Sequence, residues 1–281
     1  MDSITLMGCK GGPAIRPGSQ MPTSTLVRLA GQVVLVDAGL GAARGLCDAN
    51  VSLTALDAII ITHLHSDHYL ELGPLLHTAW TAGLKRPVPI YGPTGLADYW
   101  QHFCAAMAFD IDLRIADEGR PDLRDLVTIH EITPSFTIGS LFVTTIRNDH
   151  PPIADSFAVR LEGGGKTVVI SGDTAPLPAM TDFARDADLL VHEAMLTAGV
   201  DALFAATPNG DDRLRTHILR SHTSAEEAGR IATKAGAKHL ALNHLVPDGL
   251  PGFGPQQWEA PVRQTYDGPL TIGRDGVTIP L

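Results

Sequence analysis

Thr62-His63-Leu64-His65-Ser66-Asp67-His68 is the stretch on which the fold turns. It follows Ala58-Ile59-Ile60-Ile61, a continuous apolar run that predicts a buried strand. In extended chain, residues i and i+2 point the same way, so His63 and His65 can converge on one point. Asp67 and His68 lie just beyond, where the chain enters a helix expected over about Asp67 to Ala82, and they point to a second location. Four potential ligands within six residues, split into two pairs, suit two adjacent metal ions. Imidazole and carboxylate donors without thiolate suit zinc first, then iron or manganese. The bland alternative is a His-rich loop without metal. It gives no reason for three histidines and an aspartate to crowd one strand end.

Outward from this stretch, short apolar runs alternate with helical patterns. Strands are expected at Ile4 to Met7, at Thr25 to Leu29 and Gln32 to Asp37 as a hairpin around Gly31, and at Pro87 to Tyr91. More follow at Val127 to Ile132, Leu141 to Arg147, Ser156 to Glu162, Lys166 to Ile170, Leu189 to Val191 and Lys238 to Leu242. Gly95 to Ala108 is helical by pattern, and a helix is expected from Pro178 to Arg185. Ser224 to Ala235 is a further helix: Ser224 with Glu227 makes a capping box, and Gly236 suits the C′ position. Phe109 to Asp125 is charged and irregular and reads as a surface excursion. Strands in runs with helices interspersed predict two sheets packed together with helices outside.

The 281 residues fit one large domain or two small ones, with 44% hydrophobic residues to build a core. Lys plus Arg is 21 against 31 for Asp plus Glu, so the formal charge is −10. Nucleic-acid binders usually carry a basic face, so this total argues against a polyanionic substrate. Cys9, Cys47 and Cys104 lack CxxC spacing, which gives no disulfide framework and no zinc ribbon. Met1 to Met7 is too short and polar for a signal peptide, and no run is long enough for a membrane span. A cytoplasmic protein is expected.

The pattern HxHxDH resembles the metallo-β-lactamase superfamily, and the resemblance continues downstream, over about residues 2 to 246. That superfamily places a further histidine after a later strand. His150 follows Leu141 to Arg147 and fits, while its rival His130 lies within an expected strand. Ser171-Gly172-Asp173-Thr174 matches the family's SGDT motif, and His244 ends the strand Lys238 to Leu242. The resemblance implies a four-layer αββα sandwich, two mixed β-sheets flanked by helices, in a single domain over 1–281. It implies two Zn2+ per chain, with Mn2+ or Fe2+ as substitutes. One ion takes His63, His65 and His150, the other takes Asp67, His68 and His244, and Asp173 bridges.

Two further motifs are similar to the ribonuclease Z branch: Val191-His192-Glu193-Ala194-Met195 to its HEAT motif, and Ser221-His222-Thr223-Ser224 to its HST motif. Met195 stands where the branch has threonine. By resemblance, Glu193 pairs with His222, which faces the scissile group. A carboxylate beside an imidazole raises its basicity and fixes its tautomer. The catalytic set is then Asp67, His222 and Glu193, acting with a metal-bridging hydroxide.

The expected function is a small-molecule hydrolase acting on a phosphodiester, sulfate ester, carboxylic ester or lactone. The alternative is a tRNA 3′-processing endoribonuclease. True members of that branch carry a long basic arm, which is not visible between His68 and His150 or between Asp173 and His222. That absence and the acidic total favour a small-molecule partner over nucleic acid. A homodimer is expected from the resemblance, and Leu196 to Arg220 is a candidate lid or dimer contact. Trp80, Tyr99, Trp100, Phe103 and Met107 could line a pocket, but such residues are more often core.

Overall fold

The computed structural model describes residues 1–206 and 211–281. Its strands form two mixed sheets of seven. In the first, Val277–Pro280, Ser3–Gly8, Ser24–Leu29 and Gln32–Val36 run antiparallel in that order. Ala58–Ile60, Val88–Gly92 and Val127–Glu131 then add in parallel. In the second, Leu270–Ile272, Leu240–Val246, Leu189–Met195 and Lys166–Ile170 are parallel neighbours. Phe157–Gly163, Leu141–Arg147 and Ser135–Ile138 follow antiparallel.

The sheets pack face to face because each presents an apolar side. Ile4, Leu6, Val34, Val36 and Ile60 of the first meet Val143, Val159, Leu161, Val168 and Val191 of the second. Alternation sends the neighbouring residues outward. Leu35, Ile59 and Ile90 pack under helices Ala42–Asp48, Leu72–Thr81 and Leu96–Ala106. Val169, Leu190 and Leu242 pack under Pro178–Phe183, Ala225–Ala235 and Pro255–Arg263. Leu72, Leu75, Leu76, Ala79 and Trp80 are all buried, the i, i+3, i+4 spacing of one helical face. The result is the four-layer αββα sandwich expected from the resemblance.

Several local expectations change. The helix expected from Asp67 to Ala82 is two, Ser66–Tyr69 and Leu72–Thr81. Glu71 at the break accepts from the backbone N–H groups of Gly41 and Ala43, tying the joint to a neighbouring helix start. The supposed irregular stretch after Phe109 contains helix Ala108–Glu118, with Asp110, Arg114 and Glu118 paired at i, i+4 spacing. Ser224 caps Glu227 N as expected and Gly236 sits in the left-handed region, but the Glu227 carboxylate pairs with Arg230 instead of closing the box. Trp80 and Trp100 belong to the outer core layer, and Met107 packs against it half-buried. The Leu196 to Arg220 stretch folds as Thr197–Ala206 and Arg213–Ser221, and its residues 207–210 lie outside the described ones.

Candidate metal centre

The topology explains why residues far apart in sequence meet. Gln32–Val36 and Ala58–Ile60 are parallel neighbours, so Asp37 and His63 leave the first sheet at the same edge. Lys166–Ile170, Leu189–Met195 and Leu240–Val246 are also parallel, and Leu141–Arg147 points the same way after two antiparallel steps. Their carboxyl ends deliver His150, Asp173, Glu193 and His244 to one rim. Open sheets in α/β folds place their sites at such carboxyl ends.

His244 does not follow its strand, as the sequence suggested, but lies inside it. Glu193 pairs with Asn243 and Ala194 with Leu245, so His244 is the extra residue of a bulge. Its φ is 43°, in the left-handed region that non-glycine residues seldom occupy. A bulge re-aims a side chain, here toward the rim.

The donor atoms crowd together. His63 Nε2 and His150 Nε2 approach His65 Nδ1 to 3.1 and 3.0 Å. Asp173 Oδ2 lies 3.7 Å from His63 Nε2 and 3.8 Å from His150 Nε2 on one side. On the other side it lies 3.4 Å from His68 Nε2 and 3.1 Å from His244 Nε2. Asp67 Oδ2 is 3.2 Å from His244 Nε2. The possible ligands fall into overlapping groups: His63, His65, His150 and Asp173; Asp67, His68 and His244; and Asp173, His222 and His244. His130 is elsewhere, stacked on Tyr91.

Three of the outer nitrogens are spoken for, while among the described residues His244 Nδ1 is buried without a hydrogen-bond partner. His68 Nδ1–H donates to Asp37 at 2.8 Å, and His150 Nδ1–H to the Ser221 carbonyl at 3.0 Å. Thr62 Oγ1, which donates to Asp37, can accept from His63 Nδ1–H at 3.1 Å. Each bond fixes a tautomer with a lone pair at Nε2 facing inward. Among the described residues, His68 Nε2 and Asp173 Oδ1 are buried without a hydrogen-bond partner. Burial, then the neighbouring imidazoles, push His63 down, and the same causes bring His65 to about 4, so both are neutral. Burial works to lower His68, but Asp173, Asp37 and Asp67 outweigh it and hold it well above its ordinary range, so its Nε2 faces a concentration of negative charge. Inward-facing nitrogens, two neutral rings, that uncompensated negative charge and an orphaned buried carboxylate oxygen fit a bound divalent cation.

His222 stands beside this cluster. Its Nδ1–H donates to both Glu193 oxygens at 3.1 Å, and Glu193 also accepts from Thr174 N at 2.8 Å. Burial works to lower His222, yet Glu193 outweighs it and holds the ring up to about 9. His65, Asp67, Asp173, His222 and His244 line a cavity of about 240 Å³, with Gly12, Leu214 and His217 at its walls. The sequence reading missed Asp37, which follows a strand as an ordinary turn aspartate would. It also missed His217, which lies only four residues before the HST-like motif.

A family model described as Anti-Pycsar protein Apyc1 matches residues 3–245. The chain is 34% identical over 280 residues to the protein named Ribonuclease Z of Mycobacterium bovis (strain BCG / Pasteur 1173P2), covering 98% of this chain and 96% of the relative. The chain belongs to this family of metallo-β-lactamase-fold, metal-dependent hydrolases. Similar folds among solved structures include the metallo-β-lactamase fold protein YhfI from Bacillus subtilis, with TM-score 0.73 and 24% identity over 99% of this chain and 98% of that one. Human tRNase Z, short form, has TM-score 0.68 and 22% identity over 99% and 98%.

These findings overturn the small-molecule ester substrate expected above, and with it the exclusion of nucleic acid. A full-length relative named as a ribonuclease outweighs a charge sum. A total of −10 counts the whole surface and says nothing of one cleft. Helix Arg213–Ser221, which gives Leu214, His217 and Ile218 to the cavity, carries Arg213, Arg215 and Arg220. No helix among the described residues is long and apolar enough to cross a membrane.

Proposed function

We propose that the chain is a metal-dependent endoribonuclease that cleaves a phosphodiester at the 3′ end of precursor tRNA. The observation that carries this reading is the 34% identity, over 98% of the chain, to a protein named Ribonuclease Z. The convergent histidines and carboxylates supply the chemistry such a reaction needs.

In this reading His63, His65 and His150 would hold one zinc ion and Asp67, His68 and His244 a second, with Asp173 shared between the two sets. When bound, the two ions supply Lewis-acid polarisation of the phosphate and a nucleophile at neutral pH. The chain does the rest. Asp67 is oriented by the Gly12 N–H, which donates to its Oδ2 at 2.7 Å. Glu193 fixes the proton on His222 Nδ1 and keeps the ring cationic, so Nε2–H donates to the oxygen on which charge develops. Arg220 offers the RNA backbone a cation beside the cavity, whereas Arg213 and Arg215 are paired with Asp211 and Asp201 and would have to exchange those partners for phosphate. A cytoplasmic location and pairing of two chains belong to the same reading, and size-exclusion chromatography checks the second.

The test is incubation of zinc-loaded protein with a labelled precursor tRNA carrying a 3′ trailer. The reading expects one cut that releases the trailer and is abolished by chelator. Intact precursor with loaded protein would reject it.

A further inference from the structure

Lys10 is the buried charge for which the chemistry above has no use. Only 3% of the residue is exposed, unusual for a lysine. Its Nζ donates to the carbonyls of Gly11 at 2.7 Å and Gly12 at 2.9 Å. Carbonyls of consecutive residues rarely point at one spot, since their oxygens repel. An ammonium between them makes that turn stable.

The turn so held touches the site twice. Gly12 N–H donates to Asp67 Oδ2 at 2.7 Å. Gly11 packs on the His244 ring: a Cβ there would lie 2.9 Å from His244 Cε1 and 2.4 Å from Val246 Cγ2. The segment is also stitched to the strand of His244, because Gly11 N donates to Leu245 O at 3.1 Å and Leu245 N to Cys9 O at 2.7 Å. Asp67 and His244 belong to one group of candidate ligands, and His63 and His150 belong to another. Lys10 is absent from the cavity lining, so it acts through the turn and does not meet substrate.

We propose that Lys10 is a positioning residue that sets the affinity of one ion site, that of Asp67, His68 and His244, by locking the Gly11–Gly12 turn against Asp67 and His244. The proposal rests on the two-ion reading. It adds a dependence that neither the ligand motifs nor the HST-like motif contains.

The test is zinc uptake by apo-protein across a series of chelator-buffered free-zinc concentrations, with a thermal melt of each protein in chelator. Lys10→Met keeps the stem and removes the donors. Lys10→Arg keeps donors and charge. Wild type should fill in two steps. Lys10→Met should shift one step to about 10–100-fold higher free zinc, the usual loss when a partner behind a ligand is removed. The other step should stay in place, and Lys10→Arg should recover most of the shift. Asp67→Ala identifies the step by deleting it. Should Lys10→Met not fold, Lys10→Gln, which cannot span both carbonyls with a charge, is read the same way.

Unchanged steps in Lys10→Met, or both steps shifting equally along with a lower apo melting temperature, would overturn the proposal, because a general loosening has no preference between sites. A wild type that takes up two ions while Lys10→Met behaves identically refutes only the role of Lys10. A wild type that takes up no zinc refutes the two-ion reading and this proposal together.

Discussion

Asp37 offers the sharpest test of how the protein prepares its ligands. The residue is 1% exposed and has a φ of 62°, a backbone that aspartate tolerates better than most residues. Its Oδ1 accepts from Thr62 N at 2.8 Å, and Oδ2 accepts from Thr62 Oγ1 at 3.0 Å and His68 Nδ1 at 2.8 Å. Asp37→Asn preserves shape and removes one acceptor. If the amide oxygen stays on Thr62 N–H, the NH2 faces His68 Nδ1–H. The imidazole must then shift its proton to Nε2, the nitrogen that faces Asp67 and Asp173. Metal affinity should fall about 10–100-fold, as for other partners behind ligands, which is about 1.4–2.7 kcal/mol. If the amide flips, the buried Thr62 N–H loses its acceptor, costing about 1–3 kcal/mol of stability. Zinc occupancy at buffered free zinc reads the first outcome, and a melt in chelator reads the second. Asp37→Asn matching wild type in both measurements would refute this account of His68.

Asp173→Ala should empty both ion positions and abolish cleavage, measured by metal analysis and precursor turnover, because Oδ2 lies between the two groups. His222→Ala should keep its metal while the rate falls about 10²–10⁴-fold, the usual contribution of a positioned proton donor. Loss of metal in that variant would contradict the assigned role. Arg213→Glu combined with Arg220→Glu should raise KM for precursor tRNA and flatten its salt dependence. The same pair should leave cleavage of a small aryl phosphodiester unchanged. Equal effects on both substrates would remove the helix from RNA binding.

Much of the site was legible because metal ligation demands particular atoms at particular chain positions. The HxHxDH stretch after Ala58–Ile60 named His63, His65, Asp67 and His68, four of the seven proposed ligands, by itself. His150, Asp173 and His244 came from resemblance, and parallel strand ends explain why they converge. Asp37 was not legible, since its importance lies in a bond to His68 across a strand boundary. Lys10 gave no sign either, because a lysine in sequence looks solvated until the turn around it is seen. The bulge at His244 and the split at Glu71 are tertiary effects that local pattern cannot register. Helix Ala108–Glu118 was misjudged because its charged face was taken for an irregular surface excursion, although its i, i+4 charges stabilise it. The substrate argument failed for a different reason. It treated −10, a sum over the whole surface, as a property of the cleft.

The central claim is that two cations lie on either side of Asp173. Crystals grown with zinc and measured at the zinc absorption edge test it directly. The account predicts two anomalous peaks, one within about 2.0–2.2 Å of donors from His63, His65 and His150, the other equally close to Asp67, His68 and His244. A single peak, or peaks away from Asp173, would contradict it.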